Sequence, residues 1–561
     1  MSLFGLIATL AGCGEKADGS GGPMNHPPST PVVSLYPAQP TAAQVLTCTA
    51  MASDPDGDTV GLTVTWTRDT VAFTNTTSLT LPNDTIPPGV TQIGESWTCT
   101  VTASDGQFSS QGNVTAVISV PLPPNALVIV LDDVGQDKVG LFDEADVAPP
   151  TPTIDALAEA GMRFDNFYVS PSCSPTRATL MTGRHPRRTG IGEVIFIFTH
   201  TVELDEREFT LPLLLRHAPV PYTSGAFGKW HLTIDDNPEF LNHPLRLGFD
   251  WFQGTLDNLH VTVTPDSETP GYYHHEYLNN GVLTYSDTFA VTETVNDVSA
   301  WIQTTPEPWF AYVALHAAHT PLSPAPQDLV PSHTVPPEQI QPTDWYDPMV
   351  EAADTEIARL LASLAPDVRA RTNVFLLADN GTPEDRVLPP YDPERSKLSL
   401  YDGGTRVPLV VEGPAVLQPG ALSLGLVHAV DLMPTLAELA GISEEQIATL
   451  SSLPRDGASF VPILQNATTE LREIVYVERF EPNGDAKQAT TDLRMARDSK
   501  YKLIESTDGT QLFFEYTGDP YSEGPDLITL GEPLSLPGQA AFAKLHEFIE
   551  NQVAAMPYDW K

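Results

Sequence analysis

The sequence predicts an α/β protein. A mostly parallel central sheet is flanked by helices, with an all-β module ahead of it and a small antiparallel subdomain behind it. Three observations carry this. Unbroken apolar runs recur through the middle of the chain: Ala126-Leu127-Val128-Ile129-Val130-Leu131, then 309–315, 373–378 and 407–411. They alternate with helical stretches at 154–160, 350–364 and 432–439, the pattern of strands buried on both faces of a parallel sheet. Near the N-terminus the period is two and rich in Thr and Val, as in Ser96-Trp97-Thr98-Cys99-Thr100-Val101. Residues 474–535 again alternate in short strands, and 539–552 reads as a closing helix.

Composition narrows the function. The chain has 561 residues, enough for several domains and a large core. With 41% hydrophobic and 18% charged residues it is not a disordered chain. Its formal charge is 29 − 72 = −43, which argues against nucleic acid as a partner and against polybasic docking on anionic lipid. Its 53 prolines imply long, stiff loops. It contains no apolar run of about 18 residues, the length an ordinary transmembrane helix needs.

From the N-terminus, a short apolar run ends in Leu10-Ala11-Gly12-Cys13 and resembles the lipobox of a bacterial lipoprotein. The resemblance implies a signal peptide at 1–12 and a lipid on Cys13. It further implies an exported protein of the bacterial cell envelope, periplasmic or outer-membrane, touching membrane only through that lipid. No Lys or Arg precedes the run, a departure from the usual basic start. Residues 13–31, rich in Gly, Pro and Ser, read as a flexible tether.

Residues 32–122 read as an antiparallel β-sandwich, with turns such as Asp105-Gly106. The order Cys48, Trp66, Cys99 resembles an immunoglobulin-like domain. That implies a disulfide between the sheets with the Trp packed against it, which an exported protein permits. Asp54-Pro55-Asp56-Gly57-Asp58 has the oxygen-rich look of a Ca²⁺ loop, but it lacks further ligands and reads as an acidic turn. Pro121-Leu122-Pro123-Pro124 is a stiff linker.

The large domain spans 125–465. Two of its strands end in acids, Leu131-Asp132-Asp133 and Ala378-Asp379-Asn380-Gly381. Ligands of such sheets sit at carboxyl ends of strands, and these oxygens suit Ca²⁺ or Mg²⁺. Asp also ends strands simply to begin a turn, and spacing alone leaves both readings open.

The segment Ser172-Cys173-Ser174-Pro175-Thr176-Arg177, continuing to Gly183-Arg184, decides between them. It resembles the C-x-P-x-R signature of type I sulfatases. Further matches follow the family's order from Asn125 to Pro408: the first metal strand, a helix and strand at 152–164, Gly228-Lys229-Trp230-His231-Leu232, Ala318-His319-Thr320-Pro321, Ala378-Asp379-Asn380-Gly381, and 396–408 with Lys397 and Tyr401-Asp402-Gly403-Gly404. Ala318 stands where the family has Pro. The resemblance implies the alkaline phosphatase/sulfatase-like fold, with 466–561 as its small C-terminal subdomain.

It also implies the chemistry. A formylglycine-generating enzyme would convert Cys173 to formylglycine, whose hydrate attacks sulfur with one hydroxyl and expels sulfate with the other. Asp132, Asp133, Asp379, Asn380 and residue 173 would hold a divalent cation, Ca²⁺ ahead of Mg²⁺. Arg177 would hold the hydrate and neutralise carboxylates. Lys229 and Lys397, two of only nine lysines, would bring charge to the sulfate. His231 would act as base on the second hydroxyl, and His319, or Lys397, would serve the leaving oxygen. His316 lies nearby, but the Thr-Pro that follows favours His319. His185 is expected to shape a loop or the substrate mouth, together with 192–208, 235–300 and 322–348.

The implied reaction is hydrolysis of a sulfate ester, of an aryl alcohol or a sulfated carbohydrate, with release of inorganic sulfate. A phosphonate monoester hydrolase or phosphodiesterase of the same superfamily is the alternative. A glycan-binding surface protein with a decayed hydrolase domain is a third reading, which the intact Cys173, Arg177 and acidic set oppose.

Overall fold

The structure, a computed structural model, describes residues 24–560 except 75–83, 120, 144, 146, 197–201, 235–238, 260–270, 333–344, 390–391, 517–522 and 532. Cys13, the segment before it and most of the tether lie outside the described residues. The chain forms two compact units, one ending at Pro121 and one beginning at Leu122.

The first unit is a β-sandwich. One sheet pairs Val32–Tyr36, Leu46–Met51 and Thr85–Ile86. The other orders Val71–Phe73, Gly61–Arg68, Ser96–Ser104 and Ser109–Val117, all antiparallel. The period-two reading holds at full contrast in Ser96–Ser104, where Trp97, Cys99, Val101 and Ala103 are buried and their neighbours are not. A Cys48–Cys99 disulfide joins the sheets. Trp66 is buried beside it and donates to buried Asp84 at 2.9 Å.

The second unit is built on a ten-stranded sheet. Its centre is five parallel strands in the order Trp251–Thr255, Thr223–Lys229, Trp309–Ala314, Asn125–Leu131 and Thr372–Ala378. Every residue of the last three is buried, which is why they read as unbroken apolar runs. Antiparallel strands extend both edges, among them Leu409–Glu412 beside Thr372–Ala378. That strand begins two residues later than the apolar run at 407, because Pro408 brings no N–H to a ladder. Helices cover the sheet in two groups. Pro152–Ala160, Ala290–Thr304 and Tyr346–Ser363 form one; Cys173–Thr182, Leu211–Leu215 and Leu432–Leu439 form the other.

The described part of 235–300 holds regular elements as well as loops: a hairpin, His275–Asn279 with Val282–Ser286, and the helix Ala290–Thr304. The C-terminal sheet orders Val475–Glu481, Thr491–Arg497, Tyr501–Ser506 and Gln511–Glu515, antiparallel throughout, with Leu536–Ala555 packed on its middle strands. It belongs to the same compact unit as the large sheet. Buried ion pairs tie the two together: Arg187 to Glu478 and Asp492, and Lys502 to Asp402.

Candidate active site

The carboxyl ends of the five parallel strands converge on one place. Asp132 and Asp133 follow Asn125–Leu131, and Asp379 and Asn380 follow Thr372–Ala378. Lys229 ends Thr223–Lys229, with His231 two residues on, and His319 lies in the loop after Trp309–Ala314. Two glycines make the packing possible. A Cβ on Gly228 (φ +85°) would sit 2.1 Å from the carbonyl oxygen of Ala314, and one on Gly381 would sit 1.8 Å from that of Gly403. Asp133 and His231 themselves hold left-handed φ of 64° and 60°. Non-glycine residues adopt that conformation sparingly, and mostly where function over-determines it.

Cys173 opens the helix Cys173–Thr182, so its side chain sits at the helix's positive end. Its Sγ lies 3.3 Å from Nδ1 of His231. One turn on, Arg177 is fully buried. It donates from Nε and Nη2 to Asp379 at 3.0 and 2.8 Å and from Nη1 to the Lys229 carbonyl at 2.7 Å, and it lies 3.4 Å from Asp132.

The remaining cations pair with the same acids. Lys229 donates to Asp132 at 2.5 Å, and Lys397 donates to Asp133. Three carboxylates (Asp132, Asp133, Asp379) thus balance three cations (Arg177, Lys229, Lys397). A divalent cation added to this neutral set would leave two positive charges facing an anionic ester.

The ionisation states follow from these contacts. Burial would push the Asp132 carboxyl up, but Lys229, His319 and Arg177 hold it well below the usual range. Burial and the Asp132 charge push Asp379 up to about 6. Burial would raise the Cys173 thiol, yet Lys229 and His231 bring it down on balance. Burial opposes charge on His231, but the Cys173 thiolate and then Asp257 raise it to about 9. Loss of solvent and then the Lys229 ammonium hold His319 down to about 4. The Asp133 carboxylate overcomes burial and keeps Lys397 firmly protonated.

The tautomer of His231 is set by its surroundings. Its Nε2 faces two acceptors, the Ile195 carbonyl at 2.9 Å and Asp257 Oδ1 at 3.0 Å. Nε2 therefore carries a proton in either charge state, and in the neutral ring Nδ1 is the acceptor that faces residue 173. His319 is oriented the other way. Its Nδ1 donates to the Thr320 carbonyl at 2.6 Å, while Nε2 faces Asp133 Oδ2 at 3.8 Å near the mouth.

The acidic set fits a divalent cation. Asp132 Oδ1 and Asn380 Oδ1 are buried and have no hydrogen-bond partner among the described residues, an arrangement that costs energy unless something binds them. Both are hard oxygens, as Ca²⁺ and Mg²⁺ prefer. Asp132, Asp133 and His319 also present ligand atoms within 4.8 Å of one another. Asn380 is held in place by its Nδ2 donating to Asp133 at 2.8 Å.

The structure thus gathers all ten residues expected from the sequence: Asp132, Asp133, Cys173, Arg177, Lys229, His231, His319, Asp379, Asn380 and Lys397. It places His185 elsewhere, packed against His428 and Tyr476 and buried rather than at the mouth. Buried His316 accompanies the site from behind, with its Nε2 2.8 Å from Thr255 Oγ1. Asp257 and the Ile195 carbonyl, which hold His231, carry no motif, and sequence reading passes over them.

Comparison with known proteins gives the family and the fold. Residues 124–442 match the family model described as Sulfatase, and 395–522 match N-sulphoglucosamine sulphohydrolase, C-terminal. The chain is similar to N-acetylgalactosamine-6-sulfatase of Sus scrofa, 31% identical over 387 residues, covering 64% of this chain and 69% of that protein. It is similar to arylsulfatase A of Homo sapiens, 27% identical over 455 residues, covering 75% and 82%. Its fold resembles the crystal structure of Ps i-CgsB in complex with k-i-k-neocarrahexaose, with TM-score 0.63, 24% identity and 77% and 93% coverage.

Proposed function

The chain belongs to the sulfatase family, and from that premise we propose that it hydrolyses the sulfate ester of a carbohydrate at residue 173 matured to formylglycine. The observation that carries this is the convergence of Cys173, three cations and three carboxylates on the strand ends, with His231 Nδ1 turned to the nucleophile. The family acts through formylglycine and a divalent cation. Here the aldehyde hydrate supplies one hydroxyl for attack on sulfur and a second for releasing sulfate.

The protein's own side chains do the rest. Lys229 and Lys397 hold the sulfate oxygens, with Arg177 neutralising Asp379 behind them. His231 takes the proton of the second hydroxyl at Nδ1, because its Nε2–H is committed to Ile195 and Asp257. Maturation removes the thiolate, the largest upward influence on His231, so its affinity for a proton falls. Lys397 is the group that holds a proton for the leaving oxygen at neutral pH, since His319 is neutral there. The cation, for which we propose Ca²⁺, would be held by Asp132, Asp133, Asp379 and Asn380 and would polarise the ester.

A sulfated glycan is favoured as substrate by the named N-acetylgalactosamine-6-sulfatase relatives. A neighbour of similar fold was crystallised with its substrate D-Glucosamine-2-N,6-O-disulfate. We further propose an immunoglobulin-like role for the sandwich as a spacer, a lipid on Cys13, an envelope location and maturation by a formylglycine-generating enzyme. The Cys48–Cys99 disulfide supports the oxidising compartment these require.

The test is a panel of aryl sulfate, sulfated glycans, aryl phosphonate and phosphodiester, offered to the matured protein. Release of sulfate from a glycan at a rate far above phosphonate cleavage is expected. Turnover of the phosphonate or phosphodiester alone would replace this reading with the alternative.

A further inference from the structure

Resting on the sulfatase reading, we propose that Arg479 of the C-terminal sheet and Asn483, just after the same strand, are positioning residues. They clamp together the two loops that set His231 and Lys397. Neither touches the reacting atoms, and neither lies in a motif of the large domain.

The first loop is 190–195. Its last residue supplies the carbonyl that receives the His231 Nε2 proton. It has little regular structure of its own, so its backbone groups need partners from elsewhere. Asn483 provides them. Its Oδ1 accepts from the amides of Gly192 and Glu193, both at 2.9 Å, and its Nδ2 donates to the Glu193 carbonyl at 3.2 Å. The amide of Phe480 donates to the Gly192 carbonyl at 3.3 Å, and the Phe480 ring lies so close that a Cβ on Gly192 would meet it at 2.5 Å. At its far end the loop is tied to the nucleophile helix, as the Ile195 amide donates to Ser174 Oγ at 3.0 Å.

The second loop carries Lys397. Leu398, immediately after it, holds a left-handed φ of 73°, which a leucine adopts only under constraint. Its carbonyl accepts from Arg479 Nη1 at 2.8 Å. The same guanidinium donates from Nε to Glu193, whose side chain is only 5% exposed. One planar fork therefore bridges the His231 loop and the Lys397 loop, a task that suits Arg better than Lys, whose ammonium is a point charge able to keep only part of the contact. The acid–base pair thus has its spacing set from a different sheet.

The test uses the full chain with Arg479→Ala, Arg479→Lys and Asn483→Ala, and reads kcat and KM on an aryl sulfate together with amide hydrogen exchange. Arg479→Ala should lower kcat by about fivefold or more with KM moving less than about threefold, and Arg479→Lys should recover part of it. Asn483→Ala should speed exchange at Gly192 and Glu193, a result that requires no turnover at all. If wild-type protein releases no sulfate while exchange responds as stated, the sulfatase reading fails and the clamp stands. If folded Arg479→Ala keeps wild-type kcat, or if exchange at 192–193 is unchanged in Asn483→Ala, the clamp is overturned.

Discussion

Replacing Arg177 by Met removes a buried charge from between two buried carboxylates while keeping most of its volume. Arg177 is 0% exposed and meets Asp379 at 2.8 and 3.0 Å and Asp132 at 3.4 Å. Its loss leaves Lys229 and Lys397 to balance three acids, and leaves Asp379 with no cation in contact among the described residues. Breaking a buried pair on one side costs about 3–5 kcal/mol, most of it the burden of the charge left behind. Against a typical total of about 5–15 kcal/mol that is a large fraction. The assay is urea unfolding of wild type and Arg177→Met in chelator, repeated with Ca²⁺. The variant should lose about 3–5 kcal/mol in chelator, and Ca²⁺ should stabilise it more than it stabilises wild type, because the cation takes over the neutralisation. Equal stability of the two proteins in chelator would refute the balanced-charge account of the site.

Lys397→Ala should lower kcat/KM by at least about tenfold, or about 1.4 kcal/mol, at low and high salt alike, whereas Lys487→Ala, an exposed residue outside every motif, should leave it nearly unchanged; matching behaviour would place Lys397 outside the sulfate pocket. Asp257→Asn should depress kcat while the protein stays folded, since it weakens the acceptor that fixes the His231 tautomer; an unchanged pH–rate profile would remove Asp257 from that role. Glu208 is pushed up to about 7, by burial first, with Arg184 opposing. A carboxyl raised on folding binds more protons folded than unfolded, so stability should fall as pH rises from about 4.5 to 7. Glu208→Gln should flatten that fall, and an unaltered pH–stability curve would contradict the assignment.

The site was largely legible in the sequence because its members stand at fixed places in local elements. Asp132 and Asp379 close apolar strands, Cys173 and Arg177 share one turn of a helix, and Lys229 ends a strand whose Gly228 admits its neighbour. What stayed hidden depends on contacts between distant segments. Asp257 meets His231 because its strand lies parallel to Thr223–Lys229, a pairing no spacing announces. Arg479 reaches Leu398 across 81 residues. His185 follows the signature and was expected to shape a loop or the substrate mouth, yet Tyr476 and His428 from other elements pack against it and bury it. The reversed strand Leu409–Glu412 was equally silent, since a buried apolar run reads alike in either direction.

Residue 173 carries the proposed chemistry, and one measurement addresses it without intermediaries. Protein prepared with graded exposure to the formylglycine-generating enzyme can be assayed for inorganic sulfate released per molecule, with peptide mass spectrometry giving the fraction of residue 173 present as aldehyde. Turnover should rise in proportion to the aldehyde fraction and pass through zero with it, and Cys173→Ala should be folded and inactive. Full turnover by protein whose residue 173 is entirely unmodified Cys, or by Cys173→Ala, would contradict it.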